Sequence, residues 1–167
     1  MTIQIGDRLP DATLAEFIET ETEGCTLGPN TFNVADLVKG KTIAIFGLPG
    51  AFTPTCSAQH LPGYVKLADQ LKARGVDEIW CVSVNDAFVM GAWGREQKAT
   101  GIVRMMADGS AVFTKALGLE FDLTAKNMGI RSKRYSMLVQ DGVVRQFNLE
   151  AGGFDVSSAD KLLEQLG

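Results

Sequence analysis

The chain has 167 residues, 46% of them hydrophobic, with a formal net charge of −4, a sequence pI near 5.0 and a mean hydropathy of +0.06. That length is enough to bury one core and predicts a single domain over residues 1–167. The acidic balance argues against nucleic-acid partners, whose affinity draws on clustered Lys and Arg, and no stretch nears the ~18 apolar residues of a membrane span.

The N-terminal stretch MTIQIGDRLPDATLAEFIETETEG has scattered acidic residues and no apolar block of signal-peptide length, so the expected setting is soluble and cytoplasmic. Cys25, Cys56 and Cys81 are an odd count in a chain too large to need stapling, which favours free thiols in a reducing compartment.

In chain order, polar residues 19–30, with Cys25 among them, suit an N-terminal hairpin or loop. Residues 42–48, TIAIFGL, read as a central strand buried on both faces. After a turn, Leu61, Tyr64, Val65, Ala68 and Leu71 recur at helical spacing, with Gly75 as a stop and Pro62-Gly63 expected to kink the helix. EIWCVSV (78–84) repeats the buried-strand pattern, and Asn85-Asp86 then suits the cap of a second helix. IVRMMADG (102–109) predicts another strand. Asp141-Gly142, between two apolar-rich runs, predicts a hairpin with a type I′ turn. Ser157, with Asp160 three residues on, is the expected cap of a short closing helix. The string β-α-β-α-β followed by β-β-α predicts an α/β protein with a thioredoxin-like plan: a mixed central sheet flanked by helices, an N-terminal extension and an insertion around residues 86–125.

The turn between the first strand and helix, GLPGAFTPTC (47–56), places Cys56 where the unpaired N–H groups of a helix N-terminus favour an anion. A helix terminus supplies at most about 2 kcal/mol. A strongly nucleophilic thiolate therefore wants a cation as well, and the nearest charges in sequence, Lys41 and Lys66, lie outside the motif. Pro49 and Pro54 stiffen the turn, and Thr53 can lie one turn above the thiol.

Pro49-x-x-x-Thr53-x-x-Cys56, with PGAFTPTCSAQHLPGY, SVNDAFVMGAWG and RYSMLVQDG, resembles the peroxiredoxins, in particular their type II (class 5) branch, over about residues 40–167. The resemblance implies a thiol peroxidase that reduces hydrogen peroxide or organic hydroperoxides through a Cys56 sulfenic acid, with no metal or organic cofactor. It implies that Arg134, expected on a strand after the insertion, stabilises the thiolate and the peroxide, with Arg131 as the runner-up. Thr53 would offer its hydroxyl to a peroxide oxygen, and Pro49 would shield the thiolate from bulk water. Cys81 matches the second cysteine of members that use glutathione and glutaredoxin, but the same position suits a buried core thiol. The expected reductant is external, glutathione with glutaredoxin or else thioredoxin, and the expected assembly is a homodimer.

His60, the only histidine, lies four residues after Cys56, which invites a Cys-His pair; since the family chemistry uses arginine, a packing or supporting role is expected. Trp80 and Trp93 are expected in the core, Phe52 and Phe88 at an interface or pocket edge, and Cys25 without a role. Two other functions remain to be distinguished: a peroxide sensor or relay that passes its oxidation to a partner, and a thioredoxin-type disulfide reductase, which the lack of a C-x-x-C opposes.

Overall fold

A computed structural model describes residues 1–167. Its main sheet has seven strands, β1 (Thr13–Ile18), β2 (Gly28–Asn33), β3 (Thr42–Leu48), β4 (Glu78–Ser83), β5 (Arg104–Ala107), β8 (Tyr135–Gln140) and β9 (Val143–Leu149), in the order β2-β1-β5-β4-β3-β8-β9. Strands β3, β4 and β5 are parallel; the remaining pairings are antiparallel. Helices α2 (Leu61–Ala73) and α3 (Ala87–Glu96) make the two crossovers, and α5 (Ala159–Leu166) closes the chain against α2.

The apolar runs are continuous because both faces of the sheet are covered. In β3, Ala44, Phe46 and Leu48 pack with α2, α3 and α5, while Ile43 and Ile45 face a second core built on Leu14, Val34, Phe113 and Tyr135. In β4, Cys81 belongs to the first core and Trp80 to the second. This is a strand's period of two with neither face left to water. Gly47 sits opposite Tyr135 in the β3–β8 register, and a Cβ there would lie 2.1 Å from the tyrosine ring, so only glycine lets β8 come this close.

The thioredoxin-like plan is present, with the N-terminal extension forming the β1–β2 hairpin. Asp141 (φ 48°) and Gly142 (φ 80°) make the β8–β9 turn expected of them. Several elements differ from expectation. Short helices α1 (Val34–Leu37) and α4 (Val112–Ala116) and the two-stranded β6 (Glu120–Leu123) and β7 (Gly129–Ser132) had too few periodic residues to read. Pro62 falls in the first turn of α2 rather than one or two turns in: ahead of it the backbone makes a π-helical turn over Cys56–His60, with Leu61 N–H bonding back to Cys56 O, and runs on into α2. The cap of α5 is Ser158, whose hydroxyl accepts from Lys161 N, because the Ser157 hydroxyl is engaged by Glu150.

Candidate active site

Helical backbone begins at Pro54, and Cys56 opens the π-helical turn, so its sulfur lies in the first helical turn with no exposed surface. The turn before it is tied down on two sides. Asn85 Oδ1 accepts from Ala51 N at 3.0 Å and from Ser83 Oγ at 2.6 Å, while the Pro49 carbonyl accepts from Arg131 Nη1 at 3.1 Å. Arg131 is anchored in turn by its Nε on Met128 O, so its guanidinium supports the turn rather than meeting the thiol. Behind the sulfur, Trp93 Nε1 donates to Ser57 Oγ at 3.0 Å.

The cation that the motif lacked is Arg134. It lies in the link between β7 and β8, immediately before β8 rather than within a strand, and its Nη2 donates to Cys56 Sγ at 3.1 Å. Its Nη1 meets His60 Nδ1 at 2.8 Å, and its Cζ stands 5.9 Å from the centre of the Phe154 ring. His60 Nε2 lies 3.0 Å from Ser157 O, and a carbonyl can only accept, so the imidazole proton sits on Nε2 and Nδ1 offers a lone pair to Arg134. The histidine is thus a partner of the arginine, not of the thiol.

Burial, and then the Arg134 charge, lower the His60 pKa from 6.5 to about 3. The native ring therefore stays neutral, while the unfolded chain takes up a proton below about pH 6.5, so stability is complete above that pH and is lost as pH falls. Since this is the only histidine, unfolding free energy should drop by about 1.4 kcal/mol between pH 7.5 and 5.5. Denaturant titrations of wild type and His60→Gln at the two pH values check this; the variant should lose that slope.

Thr53 Oγ1 donates to Gly50 O at 2.7 Å. With its proton directed to this carbonyl, the hydroxyl keeps lone pairs that can accept a hydrogen bond. Pro49 is half-buried and lines, with Thr55, Gln59, Phe121, Arg134, Leu149 and Phe154, a cavity of about 650 Å³. Arg134 reaches both this cavity and the sulfur, so it marks the way in. Pro49, Thr53, Cys56 and Arg134 are thus gathered at one helix start, with His60 beside them.

Residues 4–163 match the Redoxin family model, and Peroxiredoxin-2B of Arabidopsis thaliana is 47% identical over 98% of each chain. The chain belongs to the peroxiredoxin family. The crystal structure of reduced Prx3 from Vibrio vulnificus in complex with hydrogen peroxide is 51% identical, covers 99% of this peroxiredoxin and 100% of that chain, and superposes with a TM-score of 0.91. A Burkholderia cenocepacia structure, provisionally described as a thioredoxin reductase, is 64% identical with a TM-score of 0.98 over 100% and 99% of the two chains. Here the three cysteines are all free and far apart in sequence, so the neighbouring thiol pair of a disulfide reductase is absent. This peroxiredoxin is a thiol-dependent peroxidase.

The other singled-out residues fall in separate places. Cys81 lies in mid β4, fully buried between Phe46 and Met105 in register, and burial pushes its thiol well up. Cys25 is in the hairpin region between β1 and β2, away from the site. Trp80 and Trp93 are both buried, whereas Phe52 and Phe88 are 51% and 64% exposed. Sequence reasoning missed Asn85 as a brace of the turn, and it missed Phe154, Ser157 and Glu150; only contacts between distant segments reveal these.

Proposed function

We propose that Cys56 is the peroxidatic thiol and that this peroxidase draws its electrons from an external thiol, glutathione with glutaredoxin or thioredoxin. The observation that carries the reading is the 3.1 Å contact from Arg134 Nη2 to Cys56 Sγ at a helix start. The Cys56 thiolate attacks one oxygen of the hydroperoxide, the O–O bond breaks, and its electrons leave with the second oxygen, which takes a proton to become water or an alcohol. Cys56 is left as a sulfenic acid. Arg134 stabilises the charge as it passes from sulfur to the departing oxygen, and Thr53 accepts a hydrogen bond from the peroxide O–H. Pro49 keeps bulk water from the sulfur. Thiol, peroxide and reductant balance the reaction without metal or organic cofactor.

A reducing thiol then condenses with the sulfenic acid, releasing water, and a second thiol displaces Cys56 from the mixed disulfide. Cys81 is fully buried with its thiol held protonated, which favours an external reductant over Cys81 as the resolving group. Intact mass decides: after one equivalent of hydrogen peroxide and then glutathione, wild type and Cys81→Ser should both gain one glutathione, and Cys56→Ser none. Loss of two mass units in wild type but not in Cys81→Ser would instead make Cys81 the resolving thiol.

The exposed Phe52 and Phe88 support a homodimer, with each ring also in contact with its own chain through Trp93 and Phe17. Sedimentation should give a dimer for wild type and a monomer for the double variant Phe52→Asp, Phe88→Asp. Three unbonded cysteines support residence in a reducing compartment, the cytoplasm; oxidation-sensitive labelling in fractionated cells tests it.

A further inference from the structure

The loop from Glu150 to Ser158, between β9 and α5, is organised by one carboxylate. Glu150 Oε2 accepts from Asp155 N at 2.8 Å, Ser157 N at 2.8 Å and Ser157 Oγ at 2.6 Å. Burial opposes the charge, but the Ser157 and Asp155 donors outweigh it and hold the carboxyl below its ordinary range. So folded, the loop turns the Ser157 carbonyl toward the helix, where it accepts from His60 Nε2 and from the Tyr64 hydroxyl, both at 3.0 Å. The loop also lays Phe154 over His60, with ring centres 5.1 Å apart. From the other end, the Glu150 N–H donates to the Arg134 carbonyl at 3.0 Å. No ion pair joins Glu150 to Arg134, so the carboxylate leaves the guanidinium charge free for sulfur.

A guanidinium donates only, so an acceptor that orients it without cancelling its charge must be neutral, and an imidazole lone pair is one. If the His60 proton moved to Nδ1, two N–H groups would face each other 2.8 Å apart and Arg134 would have to turn away. Which nitrogen carries the proton is decided by Ser157 O, and the position of Ser157 O is decided by Glu150.

We propose that Glu150 is a positioning residue for the peroxidase reaction: by folding the 150–157 loop it fixes His60 as the Nε2–H tautomer and so holds Arg134 against the Cys56 sulfur. This rests on Arg134 acting at Cys56 as set out above.

The test combines peroxide kinetics with nitrogen-15 NMR, where a lone histidine makes the imidazole assignment unambiguous. Glu150→Ala should slow Cys56 oxidation by hydrogen peroxide about tenfold, as a mispositioned charge would, and turn the single Nε2–H signature into a tautomer mixture. Glu150→Gln, whose amide oxygen still accepts, should restore most of the rate and the single tautomer. In an Arg134→Ala background, Glu150→Ala should cost nothing further. Ser157→Ala, which deletes only the hydroxyl donor, carries the same test at smaller amplitude if Glu150→Ala does not fold. A wild-type rate, an unchanged tautomer, or an equal loss in the Arg134→Ala background would overturn the proposal. A wild-type rate in Arg134→Ala alone would instead overturn the reading on which it rests.

Discussion

Cys56→Ser is expected to fold as wild type and to lose peroxide reduction by on the order of 10⁴-fold or more, the scale on which removing a nucleophile acts. The fold should survive because a hydroxyl occupies nearly the same buried space and can still accept from Arg134 Nη2. The chemistry should not survive, because a serine oxygen is not ionised at neutral pH and has no stable oxidised form from which a second thiol could recover it. Cys81→Ser and Cys25→Ser should leave the first oxidation unchanged, since the hydrogen bonds of the Arg134 guanidinium go to Cys56 and His60 and to neither of these thiols. Single-turnover peroxide consumption by the three reduced variants, with circular dichroism on each, checks the claim.

Arg134→Ala should lower the rate of Cys56 oxidation by about 10²–10³-fold, the usual cost of removing one preorganised donor from a developing charge. Lysine at 134 should recover little. The guanidinium fork serves two atoms at once, Nη2 on Cys56 Sγ and Nη1 on His60 Nδ1, and a single ammonium cannot reproduce that planar geometry. Arg131→Ala should lose less, because its guanidinium reaches the Pro49 carbonyl and not the sulfur. Stopped-flow rates at several peroxide concentrations would separate these variants; comparable losses at 131 and 134 would contradict the assignment.

The parts of this structure that are local were legible in the sequence. Residues 42–48 and 78–83 form strands because an unbroken apolar run has both faces to bury, and Asp141-Gly142 forms a type I′ turn because both positions take positive φ. The proline-framed turn announced a thiol at a helix start. Its cation did not announce itself: Arg134 is 78 residues away and reaches the sulfur only because β8 pairs with β3, so the family resemblance, not spacing, supplied it.

The misreadings share a cause in long-range contacts. Ser157 looked like a helix cap, but its hydroxyl is claimed by Glu150 and the cap passes to Ser158. His60, four residues past Cys56, is by contrast no misreading: its expected packing or supporting role is met by a ring lodged between Ser157 O and Arg134 Nη1, serving the arginine. Pro62, read as lying one or two turns into its helix, sits in the first turn of α2, and the chain ahead of it widens into a π-helical turn that opens at Cys56 itself. Glu150 carries no motif at all, and its place in the site appears only when the 150–158 loop is seen folded on it.

The central claim, that peroxide is reduced at Cys56 under the hand of Arg134, is tested most directly by locating the oxidised atom. Reduced protein would be mixed with less than one equivalent of hydrogen peroxide in the presence of dimedone, which traps sulfenic acids, and the labelled peptide identified by mass spectrometry. Label on Cys56 alone, falling sharply in Arg134→Ala, is the predicted result. Label on Cys25 or Cys81, or undiminished label at Cys56 without Arg134, would contradict the account.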